Sequence, residues 1–94
     1  MNDFFIKEQI VELCDSVVRN INNNFRNISL DIDDEGNLRI KIILDITTEK
    51  EYEYIDDISA EFEAVQENRI VKDIEVTTDL NSKPLPHLIY SRED

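Results

Sequence analysis

The sequence predicts an α+β fold in one domain spanning residues 1–94. Two helices pack on an antiparallel sheet in the order α-β-β-α-β, with an optional short final strand. Three observations lead there. Apolar residues recur at helical intervals near the start, at every second position after residue 28, and at helical intervals again after residue 55. Ninety-four residues suit a single core, and the 40% that are hydrophobic are periodic in the way a folded chain requires.

The first helix is expected from Asp3 to between Asn23 and Phe25. Its apolar positions are Ile6, Ile10, Leu13, Cys14, Val17, Val18, Ile21 and Phe25, at spacings of three and four. Asn2 or Asp3 suits the N-cap, and "NINNNFRN" gathers residues that form helices poorly. Ile28, Leu30 and Ile32 then alternate with polar residues. After "DEGN", Leu38, Ile40, Ile42, Leu44 and Ile46 do the same, so the pair reads as a hairpin with one buried face. Gly36, the only glycine, sits where such a loop needs a left-handed backbone. Ile43 is out of phase; it packs under a second layer or joins an exposed patch.

A second helix is expected over Lys50 to Glu67, with Ile55, Ile58, Phe62 and Val65 inward and a capping box of Thr48 with Glu51. The run "IVKDIEVTTDL" is β-branched and alternating and forms the third strand. "NSKPLPH" ends it, because proline lacks a backbone donor, and "LIY" suits a short edge strand.

Charge narrows the partners. Twenty-two acidic against ten basic residues give −12, beyond the roughly 2–8 units that solubility asks of a small domain. Nucleic acid and anionic membranes are repelled, and a basic protein surface is the complement. Cys14 is the only cysteine, which excludes an internal disulfide and fits the reducing cytoplasm. The N-terminus has no secretory pattern, and no run approaches the roughly 20 apolar residues of a membrane span.

Chemistry finds little support. "DIDDEG" begins like a calcium loop, but Ile42 stands where the bidentate Glu belongs, so it reads as a hairpin tip. One glycine cannot build a nucleotide-binding loop, and with only His87 and Cys14 a zinc site would need carboxylates. His87 and Ser91 would need a shared geometry and an orienting group that no sequence pattern here supplies, so His87 reads as a surface or edge histidine, and no enzyme and no cofactor is expected. Cys14, on the apolar stripe, reads as a buried inert thiol.

The charge surplus concentrates in one place. From Asp45 to Glu67 there are nine acidic residues and one basic, Lys50. A solubilising helix face mixes signs, whereas this one offers Glu51, Glu53, Asp56, Asp57 and Glu63 beside Tyr52 and Tyr54. Exposed tyrosines beside carboxylates make rigid contact area for a partner; turned inward they are core.

With its acidic, Tyr-bearing segment "EYEYIDDISAEFEAVQE" and no enzyme motif, the chain resembles the small acidic immunity proteins of bacterial toxin systems, including contact-dependent growth inhibition. The resemblance implies a cognate toxin domain as partner, a nuclease in the first instance, because an enzyme that binds phosphate displays Lys and Arg. The alternative is an acidic mimic of nucleic acid that regulates a host or phage nucleic-acid-binding protein. Ile43 and Phe4 also leave a homodimer open.

Overall fold

The computed structural model describes residues 3–33, 35–64 and 71–92, with the side chains of all but 3–6 and 71–72. The elements are α1 (Asp3–Arg19), β1 (Phe25–Ile32), β2 (Leu38–Leu44), α2 (Glu49–Ala64), β3 (Val71–Thr77) and β4 (His87–Ser91). Class and order are those expected, and the short final strand is present at a sheet edge. Phe4, Ile6, Val65, Glu67 and Ile70 fall where side chain or backbone lies outside the described residues.

The first helix ends earlier than its spacing suggested. Arg19 is its last residue, and Asn20 accounts for the stop by turning its amide back onto the Ser16 carbonyl at 2.8 Å and across to the Glu61 carboxylate. Ile21 and Phe25 keep a spacing of four by coincidence, and Phe25 opens β1. Val18 does not join the core: among the described side chains of α1, Leu13 and Val17 are the apolar ones buried there, because adjacent helical residues point about 100° apart.

β1 and β2 form the expected hairpin, with Leu30 opposite Ile40 and Ile32 opposite Leu38. Its tip is organised by Asp33, whose Oδ1 accepts the Glu35 and Asn37 backbone N–H groups, both at 2.9 Å. Gly36 takes the left-handed conformation there, with φ 86°.

The sheet order is β3-β2-β1-β4. β1 pairs antiparallel with both β2 and β4, but β3 runs parallel to β2. The wholly antiparallel sheet expected from the sequence is therefore corrected to a mixed one. α2 returns the chain to the end of the sheet where β2 began, and a strand entered from there pairs parallel.

One face of the sheet carries Phe25, Ile28, Leu30, Leu38, Ile40, Ile42 and Leu44, and both helices pack on it through Leu13, Val17, Ile55, Ile58 and Phe62. The other face is covered differently. β3 and β4 lie at opposite edges, so their connection crosses β2 and β1; Lys41 Nζ donates to the Lys83 carbonyl at 2.7 Å and the Leu85 N–H donates to Ser29 Oγ at 2.8 Å. Ser29, Lys41 and Ile43 are all buried on this side, which resolves the out-of-phase Ile43 as covered rather than exposed.

Candidate functional site

α2 begins as the capping box predicts. Glu51 Oε1 accepts the Thr48 backbone N–H at 2.9 Å and the Thr48 hydroxyl at 2.6 Å, and the first helical N–H bond runs from Tyr52 to the Thr48 carbonyl at 3.2 Å. Asn22 Nδ2 supplies a further donor to Glu51 Oε2 at 2.8 Å. The Thr48 hydroxyl, then Asn22, then the Thr48 N–H, hold the carboxyl well below its ordinary range, to about 2, against the opposing effect of burial. Glu51 is only 2% exposed, so this carboxylate is part of the fold and is not presented on the surface.

The loop before α2 is fixed from the other side. Asp45 accepts Arg92 Nη1 at 2.7 Å and Arg26 Nη1 at 3.3 Å, and the Arg92 guanidinium also reaches the Asn23 carbonyl. Hydrogen bonding to Arg92 first, and to Arg26 second, lowers the Asp45 pKa. The asparagine-rich turn after α1 thus meets the start of α2 through Glu51 and the chain beyond β4 through Arg92.

Ile55, Ile58 and Phe62 turn inward, as their spacing indicated. Tyr54 is half-buried and presents its ring edge-on to Phe25, with centroids 6.3 Å apart and planes at 73°, so it belongs with the core. Tyr52 is 50% exposed. Glu53, Asp56, Asp57 and Glu63 are exposed with it. Helical spacing places Tyr52, Asp56 and Glu63 in one row and Glu53 with Asp57 in the next. Of the seven residues singled out in the sequence, five therefore share the outer face, while Glu51 and Tyr54 lie beneath it.

Among the described residues, none of Glu53, Asp56, Asp57 and Glu63 has a cation within 4 Å. Glu61 differs: it pairs with Arg19 at 3.5 Å and accepts Asn20, joining α2 to α1. The outer face offers neither a nucleophile nor a base in a shielded setting, so what it can do chemically is attract and contact a cationic surface. Ile46, 50% exposed just before the helix, was placed in the second strand by its alternation; the strand stops at Leu44, and Asp45, bound by two arginines, marks the departure.

No helix among the described residues is long and apolar enough to cross a membrane. No curated protein matches the chain. The sequence model of the MafI2 immunity proteins, however, matches residues 7–94, which takes in every element described above apart from the first turn of α1. A match over nearly the whole chain agrees with the toxin-immunity type that the acidic segment suggested, and the protein is a member of the MafI2 immunity protein family, whose function is to neutralise a cognate toxin.

Proposed function

We propose that this immunity protein acts in the cytoplasm, without chemistry of its own, by laying the outer face of α2 over the functional surface of a basic toxin domain, a nuclease. The observation that carries the reading is the set of uncompensated carboxylates at Glu53, Asp56, Asp57 and Glu63 beside the half-exposed Tyr52. Carboxylates without internal partners keep their field directed outward, where it speeds encounter with a cationic surface. Tyr52 gives that surface a rigid contact. A nuclease fits because the residues that grip phosphate are the lysines and arginines such a face attracts.

The test is co-purification with the toxin domain encoded beside the immunity gene, followed by charge reversal of Glu53, Asp56, Asp57 and Glu63 to Lys. Association is expected to slow by about 10- to 100-fold at low salt, with loss of protection in cells. Unchanged binding would show that the complex forms elsewhere. Tight, salt-sensitive binding to several unrelated basic proteins would favour nucleic-acid mimicry instead.

A further inference from the structure

The outer surface of α1 breaks that helix's own pattern. Val11 and Val18 are 58% and 78% exposed, although the helix has a buried side that takes Leu13 and Val17. Single exposed valines are ordinary, but these two stand in register. Glu8, Val11, Asp15 and Val18 fall at intervals of three and four, so an exposed stripe alternates acid, apolar, acid, apolar along one side of the helix. Among the described residues neither Glu8 nor Asp15 has a cationic partner.

The stripe lies on the helix that packs beside α2. Both helices pack on the same side of the sheet, and they meet where Arg19 pairs with Glu61 at 3.5 Å. Val18 immediately precedes Arg19, and Asp57 lies one turn before Glu61, so the seam runs between the two surfaces. A second copy of this chain is a poor occupant, because it would set Glu8 and Asp15 against acidic residues and bring together two molecules of charge −12. A partner that places cations between apolar side chains satisfies every position of the stripe.

We infer that the Glu8–Val11–Asp15–Val18 stripe is the second half of the toxin-binding surface, the half that slows dissociation while α2 speeds encounter. This rests on the reading of α2 given above, and it adds apolar anchoring that the carboxylates of α2 do not supply. Contacts of this kind act chiefly on the off-rate.

The variant V11Q/V18Q tests it. Both sites are exposed and Gln forms helices better than Val, so the thermal midpoint should match that of the wild type. Surface plasmon resonance with the same co-purified toxin domain should show dissociation faster by about 10-fold or more and association unchanged. Unchanged dissociation, with the α2 charge reversals still slowing association, defeats the stripe and leaves the α2 reading intact. If neither set of variants alters binding, both fail. A wild-type dimer in sedimentation velocity that V11Q/V18Q converts to monomer also overturns the inference, since a second copy would then cover the stripe.

Discussion

On the face of the β2–β3 pair turned away from the helices, Arg39 meets Asp73 at 3.7 Å and Lys41 meets Glu75 at 3.4 Å; on the outer face of α2, the exposed Glu53, Asp56, Asp57 and Glu63 beside Tyr52 meet no cation among the described residues. The sheet pairs follow from register, because Arg39 lies opposite Asp73 and Lys41 opposite Glu75. Arg19, Arg26 and Arg92 are also spent within the fold, on Glu61 and Asp45. An acidic chain short of basic residues has thus placed those cations where elements join and, among the described residues, left Glu53, Asp56, Asp57 and Glu63 on the outer face of α2 without them. The surplus on α2 is a local feature of the surface, and an overall composition of −12 does not by itself require it.

The contrast can be broken most severely from the inner side of α2. Phe62→Ala removes a fully buried ring and should lower unfolding free energy in urea by about 3–5 kcal/mol; a much smaller loss would mean that α2 is loosely held and its charges have no fixed geometry. Next comes the covered face of the sheet, where Ser29→Ala deprives the Leu85 N–H of its acceptor. A loss of about 1–3 kcal/mol is expected, with faster hydrogen exchange at Leu85.

Glu51 offers a subtler probe, since it is a carboxylate of α2 that the fold buries. Its folded pKa of about 2 lies below the ordinary value near 4.3, so its contribution is complete above the ordinary value and disappears as pH falls through about 2. Glu51→Gln should therefore be less stable than wild type at pH 7, and the gap should close between about pH 4 and pH 2 in parallel urea titrations. A gap independent of pH would show that the cap is held by shape alone. Smallest of all is Arg39→Gln, which breaks an exposed pair and should change stability by less than about 1 kcal/mol.

What could be seen in the sequence was what local chemistry dictates. The change of period at Ile28, the left-handed Gly36, the Thr48–Glu51 cap and the inward row of Ile55, Ile58 and Phe62 each depend on neighbours a few residues away. What could not be seen depends on residues distant in the chain. Alternation along Val71–Thr77 is the same for a parallel or an antiparallel partner, so the mixed sheet was hidden. Glu51 looked like surface because Asn22, which helps enclose it, lies in another element. Tyr54 differs from Tyr52 only by facing Phe25, and the exposure of Val18 follows from the side on which α1 meets the sheet.

The sheet order has a consequence for the timing of synthesis. β4 is the last of the described elements in chain order, yet it pairs with β1, so that edge waits for residues 87–91 and for the closure of a long loop. The surface of α2 rests on the hairpin and the helices, all made earlier. At about 5–20 residues per second, those parts leave the ribosome some seconds before β4 does. An antidote built in this order has α2 in hand before the β1–β4 edge is paired, and it is that strand, with Arg92 behind it, that then locks the turn against which the helix starts.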